Sequence, residues 1–298
     1  MNLSSSNPLV SIVLPTRNRA PFLRRAVKSV LAQTYAEFEL IIVDDNSSDA
    51  TPEVVKSFDD KRIRYLRQDV SKGPGAARNA GCAIAEGEYI AFLDDDDQFA
   101  PNKLDVQVEV FRQSTASIAV VISDVEVYRD GKIVELRPYD GEIGSIFLHV
   151  LAGHWFPLNA TLLIRHQLPQ FDERLLCLED IDFHLKVLQK SKAAYIGHTV
   201  AQYNIDQKRN RLSQNRINMH RSFEILHERY FNDPEDHLLA IARPQALANF
   251  GLRLIALGYT DDTTRKYFNR AFKLKKFGKT MWYRLMSLGG PVLLKRLK

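Results

Sequence analysis

Four consecutive aspartates, Asp94, Asp95, Asp96 and Asp97, close the apolar run YIAFLDDDDQF. Two unit charges about 4 Å apart repel by roughly 4 kcal/mol at an effective dielectric near 20, so the run calls for a cation. Carboxylate oxygens suit a divalent metal held by one or two side chains, with substrate phosphates and water filling the remaining positions. Such a cation neutralises charge on a departing diphosphate. A second acidic pair, Asp44-Asp45, closes FELIIV, and Glu179-Asp180-Ile181-Asp182 opens an amphipathic stretch. Asp180 is therefore a candidate for the carboxylate that takes a proton from an attacking hydroxyl. Acids at a helix start also complement its dipole, by about 0.3–1 kcal/mol each. A solvated loop with capping aspartates would explain the acidic run in isolation, so placement has to decide.

The surrounding pattern supplies that placement. Buried-strand candidates at 10–15, 38–43, 63–67, 89–93 and 118–123 alternate with helical spacing at 21–33, 51–58, 73–85 and 101–113. Strands alternating with helices predict an α/β fold with a mostly parallel sheet covered on both faces. Ligands in such sheets bind beyond the carboxyl ends of the strands. Thr16-Arg17-Asn18, Asp44-Asp45 and the four aspartates all fall at those ends, which predicts one site. Farther on, 132–136 reads as a short strand and 178–190 as a helix. The segment His154-Trp155-Phe156-Pro157-Leu158-Asn159 reads as a loop with large side chains, and the chain from about 212 as helices, including a pair at 246–257 and 263–277.

Composition narrows the classes. The chain has 298 residues, 45% of them hydrophobic, enough for one large domain or a domain with an appendage. The start, MNLSSSNP, lacks the basic and apolar regions of a signal peptide, and no stretch approaches the roughly 20 apolar residues of a membrane span. Cys82 and Cys177 have no metal-ligand spacing, so the expected location is cytoplasmic. Residues 207–298 carry 19 Lys/Arg against 7 Asp/Glu, whereas residues 1–206 carry 22 against 29. The stretch 265–298 holds eleven basic residues, no acid and several aromatics, which suits an anionic membrane surface on its inner face or a basic face packed on the catalytic domain. Nucleic acid is not an expected partner.

Several motif readings fail. Gly73-Pro74-Gly75-Ala76-Ala77-Arg78 starts like a dinucleotide fingerprint but has Arg where the third Gly belongs. No Walker A sequence occurs, no Gly stands at the sixth position of an EF-hand begun at any of the aspartates, and no nucleophile elbow is present. Five segments in order, VSIVLPTRNR, FELIIVDDNSSD, GPGAARNAG, YIAFLDDDD and LEDIDFHLKVL, resemble family 2 glycosyltransferases of the GT-A fold over about residues 9–205.

That resemblance implies a GT-A domain at 1–206, with a nucleotide-binding half at about 9–125 and an acceptor half at about 126–206; charge and helical spacing make 207–298 a basic helical C-terminal region. It implies an inverting hexosyltransferase that moves a sugar from a nucleotide-diphosphate donor, a UDP-sugar, to a hydroxyl of a glycan or lipid-linked acceptor, with Mg²⁺ or Mn²⁺. Carried over, Pro15, Thr16 and Arg17 border the base and ribose, Asp45 holds the base edge, and Arg78 and Asn79 face the nucleotide. Arg78 serves equally well as a structural pairing residue. The acidic run resembles the DxD motif: Asp94 and Asp95 stand near the ribose, Asp96 is the metal ligand with Asp94, and Asp97 caps the following helix. Glu179-Asp180 resembles the family's ED pair, with Asp180 as base and Glu179 in support, while Asp182 faces elsewhere. His154 and Trp155 are candidates for the acceptor. Relatives carry a His three positions after a Tyr; here Tyr203 is followed by Asp206, so Arg209 or Arg211 becomes the candidate for the diphosphate. Two rivals stay open: a nucleotide-sugar-binding scaffold without catalysis, and a nucleotidyltransferase, which normally carries a Gly-rich loop where PTRNRAPF has none.

Overall fold

The computed structural model describes residues 7–115, 117–137, 146–151, 156–205, 215–230 and 246–247. The chain divides into two compact units, Met1–Gly144 with Phe156–Asn210, and Ser145–Trp155 with Arg211–Lys298. The first unit holds every described site residue. It begins β1 (Val10–Thr16), α1 (Ala20–Leu31), β2 (Phe38–Asp44), α2 (Thr51–Lys56), β3 (Ile63–Arg67), α3 (Pro74–Ile84) and β4 (Tyr89–Phe92). After β5 (Gln98–Phe99) and α4 (Lys103–Gln113) come β6 (Ile118–Arg129) and β7 (Lys132–Arg137). In the second unit the described helices are α5 (Ile146–Leu151) and α7 (Arg216–Tyr230). The first unit closes with β8 (Thr161–Ile164), α6 (Glu179–Lys190) and β9 (Lys192–Asn204).

The sheet runs β3-β2-β1-β4-β8-β6-β9-β5, with β7 paired to β6. From β3 to β4 all pairings are parallel. Strands β1, β2 and β4 are buried at every position, as strands covered on both faces must be. Strand β8 then runs antiparallel to both β4 and β6. The chain builds outward from β1 through β2 to β3 and returns to place β4 on the other side of β1. This reversal opens a crevice beyond the carboxyl ends of β1 and β4, where ligands of such sheets bind.

The elements expected across the first 113 residues are present within a few residues at their ends. Beyond them the sheet is larger than the sequence pattern suggests: β6 runs to Arg129, and β5, β8 and β9 have no counterpart among the expected strands. Strand β9, KAAYIGHTVAQYN, lacks a strict alternation, and its register with β6 shifts between Ser123 and Asp124 and again between Asp124 and Val125. No helix among the described residues is long and apolar enough to cross a membrane. Of the expected helix pair at 246–257 and 263–277 only residues 246–247 are described, and the basic stretch 265–298 lies outside the described residues.

Candidate active site

The four aspartates do not point the same way. The Asp97 backbone N–H donates to the Asp94 carbonyl at 3.0 Å, closing a tight turn immediately after β4. Each carboxylate consequently meets its own partners, and the repulsion expected of the run is divided among several groups. Asp94 Oδ1 accepts from Arg78 Nη2 at 2.7 Å. Asp95 Oδ2 accepts from the Thr16 hydroxyl at 2.7 Å, across the crevice at the end of β1. Asp96 Oδ2 accepts from Arg19 Nη1 at 2.9 Å, and the same nitrogen stands 3.5 Å from Asp95 Oδ1.

Asp97 corrects an expectation. It caps no helix: the chain continues into β5, and α4 starts six residues later. Its two oxygens accept from Asn159 Nδ2 at 2.7 Å and from the Asn204 backbone N–H at 2.8 Å, while Asn204 Nδ2 donates to the Asp96 carbonyl at 2.7 Å. The acidic turn is thus tied to the end of β9 and to the helical turn Leu158–Ala160. That turn is itself held from α4. The fully buried Lys103 Nζ donates to the Thr161 carbonyl at 3.1 Å, and Gln107 Nε2 donates to the Ala160 carbonyl at 3.0 Å. Burial holds the Lys103 ammonium well below its ordinary pKa.

Arg78 is the hinge of the arrangement. It is buried on α3 and donates from its other terminal nitrogen to Glu179 Oε1 at 2.7 Å. Burial pulls its pKa down, but Asp94 and Glu179 outweigh that and hold it above the ordinary arginine value. One guanidinium therefore joins the acidic turn after β4 to the first residue of α6. Its packing follows from aromatic contacts: Phe171 stacks on Phe183 of α6 at 4.1 Å, and Phe92 of β4 meets both rings edge-on. The Arg78 guanidinium lies 5.5 Å from the Phe171 ring. Asn79 secures Phe171, accepting from its N–H at 2.9 Å and donating to its carbonyl at 3.0 Å. Both ends of the Asn79 amide are thus engaged by the loop that seats α6.

Asp180 follows Glu179 on the first turn of α6 and is half-buried. Its Oδ1 accepts from the Ile181 N–H at 2.9 Å. Leu178, before it, has a left-handed φ of 61°, which turns the chain sharply into the helix. Asp182 points into the protein and pairs with Lys186 at 2.7 Å, away from the acidic turn as expected. His184, one turn along, is 2% exposed against Phe156 and Phe183, and burial, aided by Arg78, lowers its pKa to about 3.

On the other rim, Asp44 turns the chain after β2, accepting from the Ser47 N–H at 2.7 Å and the Tyr65 hydroxyl at 2.5 Å. Asp45 accepts from the Ser71 hydroxyl at 2.7 Å, the Lys72 N–H at 2.7 Å and the Gly73 N–H at 3.0 Å. Gly73 has φ 91°, where a side chain would be strained, and this lets both N–H groups converge on Asp45 before α3 begins. With three of about four lone-pair positions used, Asp45 keeps one acceptor position, on Oδ1. Pro15 and Thr16 are buried and Arg17 is exposed, all at the mouth of the crevice after β1. His154, Trp155, Arg209 and Arg211 lie outside the described residues.

Burial raises the Asp95 pKa to about 7; Asp96 and Asp94 push it the same way, while Arg19 and Thr16 pull it down. Among the described residues no three histidine, cysteine or carboxylate side chains group into a complete metal cage. The donor set nonetheless fits Mg²⁺ or Mn²⁺, which need one or two carboxylates when phosphates and water supply the rest. Asp94 and Asp96 are the residues that would supply them. Arg19 is the residue the sequence reasoning passed over, although it closes the PTRNR segment and the aspartates demanded a cation near the end of a neighbouring strand. Asn159 and Asn204 carried no signal, since their role depends on β8 and β9.

The family model described as glycosyl transferase family 2 matches residues 11–168. The putative colanic acid biosynthesis glycosyl transferase WcaA of Escherichia coli (strain K12) is 34% identical over 191 residues, which is 61% of this chain and 67% of that protein. The UDP-Glc:alpha-D-GlcNAc-diphosphoundecaprenol beta-1,3-glucosyltransferase WfgD of Escherichia coli is 39% identical over 126 residues, 42% of this chain and 49% of that protein. The matched stretch thus spans about two thirds of the first relative's length and about half of the second's. S. aureus TarS 1-349 in complex with UDP-GlcNAc has a TM-score of 0.65 at 18% identity, covering 88% of this chain and 79% of that one. At that identity the likeness is one of fold.

Proposed function

We propose, from the premise that the chain belongs to glycosyl transferase family 2, that it moves a sugar from a UDP-sugar donor to a hydroxyl of a glycan or lipid-linked acceptor with inversion at the anomeric carbon. The observation that carries the reading is Arg78, whose guanidinium reaches Asp94 on one side and Glu179 on the other, each at 2.7 Å. It brings the acids suited to a donor diphosphate beside the acid pair suited to proton removal. Glu179 is ion-paired and buried, so the partly exposed Asp180 is the base.

In the reaction the acceptor hydroxyl loses its proton to Asp180 as its oxygen attacks C1 on the face opposite the diphosphate. The new C1–O bond forms while the bond from C1 to the phosphate oxygen breaks, and that oxygen keeps the electron pair. An α-linked donor gives a β-linked product. Asp96 and Asp94 would hold the divalent cation, which would offset the charge gathering on the diphosphate. Asp45 keeps an acceptor position for a base N–H, and Pro15, Thr16 and Arg17 border the same crevice. Glu179, paired with Arg78, anchors the helix start that carries Asp180. The relatives' names support a UDP-sugar and a lipid-linked acceptor in polysaccharide assembly. The basic stretch 265–298 suits an anionic membrane surface where such an acceptor resides.

The test is Asp180→Asn. Transfer should fall by about 10³-fold or more, within the range of general-base contributions with the base removed outright, while donor affinity in calorimetry stays within about twofold. Turnover near the wild-type rate would remove Asp180 from the base role.

A further inference from the structure

Arg19 stands at the N-cap of α1, and nothing about that helix calls for a cation there. The helix dipole disfavours positive charge at this end. The Arg19 side chain makes no capping hydrogen bond, and the Ala20 N–H is met by Asp49 Oδ2 at 3.0 Å. Its guanidinium reaches instead to the acidic turn, 2.9 Å from Asp96 Oδ2 and 3.5 Å from Asp95 Oδ1. The side chain is 22% exposed, against 8% and 10% for the side chains of Asp95 and Asp96, so it covers them from the solvent side.

We infer that Arg19 is the built-in counter-cation of the acidic turn: it holds Asp96 when no metal is bound and transfers to the donor diphosphate as metal and nucleotide enter. The inference rests on the metal role proposed for Asp96. A guanidinium and a divalent cation repel each other at one carboxylate oxygen, so metal either displaces Arg19 or binds more weakly because of it. A guanidinium released beside a diphosphate finds phosphate oxygens that match its donor fork. The exchange makes metal binding weak until nucleotide is present, and linkage makes the reverse equally true. Arg19 thereby acts as a positioning residue that couples the two ligands, and it keeps the acidic turn folded between turnovers. Arg78 has no such freedom, being itself buried and held between Asp94 and Glu179.

Calorimetry on the full chain tests this, using Mn²⁺ alone and Mn²⁺ with saturating UDP or GDP, whichever the wild type binds. Arg19→Gln should bind Mn²⁺ alone about tenfold more tightly than wild type, since it removes both a competitor and a like charge. The gain in Mn²⁺ affinity on adding nucleotide should shrink by about tenfold. Arg19→Lys, a point charge without the fork, should fall between the two, so either variant alone reads the sign. Thermal melts confirm that each variant is folded. A residue with a merely structural role would lower Mn²⁺ affinity when replaced, or leave it unchanged, and either result overturns the inference while leaving the metal role of Asp96 intact. A wild type that takes up no Mn²⁺ with or without nucleotide removes that metal role, and the inference with it.

Discussion

His184 shows how the chemistry of one residue follows from what surrounds it. It lies between Phe156 and Phe183, with Arg78 the charged group that bears on it, and its pKa falls to about 3. An unfolded histidine titrates near 6.5, so the folded state binds fewer protons between these values. Its contribution is therefore fully present above pH 6.5 and is lost as pH falls toward 3. Replacing it by Leu should flatten that part of the profile. Between pH 7.5 and 5, wild-type stability should fall by about 2 kcal/mol more than that of His184→Leu in urea titrations. Equal losses would mean that His184 is protonated in the folded protein too. The acids are easier to read from the sequence than this histidine: a carboxylate run announces its need for a cation, whereas a neutral buried His looks like any other helical residue.

The helices α3 and α6 set the distance between the two acidic groups. Helix α3 approaches the sheet closely because Gly81 has no side chain: a Cβ there would come within 2.5 Å of Val13 Cγ1 and 3.1 Å of Val43 Cγ2. Both neighbours are fully buried side chains of β1 and β2 with little room to shift. Gly81→Ala should therefore lift α3 and cost about 1–3 kcal/mol of stability, read by urea denaturation. Donor binding should weaken as well, because Arg78 rides on the same helix. Unchanged stability would show that the sheet yields at no cost. Helical spacing made α3 and α6 legible in the sequence, and GPGAARNAG and LEDIDFHLKVL marked their functional residues. That Arg78 meets Glu179 across 101 residues of chain was not legible. It depends on the Phe92, Phe171 and Phe183 stack and on the two ends of the Asn79 amide.

Over the whole molecule, a site assembled from loops at several strand ends should be stabilised by the ligands that bridge them. A ligand at 100 times its dissociation constant adds about 2.7 kcal/mol, provided that it binds only the folded state. UDP with Mn²⁺ should therefore raise the melting temperature, and EDTA should abolish the rise while leaving the ligand-free melting temperature in place. A shift that survives EDTA would argue for nucleotide binding without metal.

The sequence by itself determined the α/β alternation of the first 113 residues, the family, and the acidic groups at the strand ends. Each of these rests on local periodicity or on a short contiguous motif. Only the tertiary structure decided which partner each aspartate takes. A tight turn splays four adjacent carboxylates, and Thr16 with Arg19, Arg78, Asn159 and Asn204 reach them from four separate places in the chain. Strands β5, β8 and β9 were likewise settled in three dimensions, because their pairing comes from distant neighbours and not from their own pattern. Two arginines relieve the acids, Arg78 sealed under the site and Arg19 at its rim.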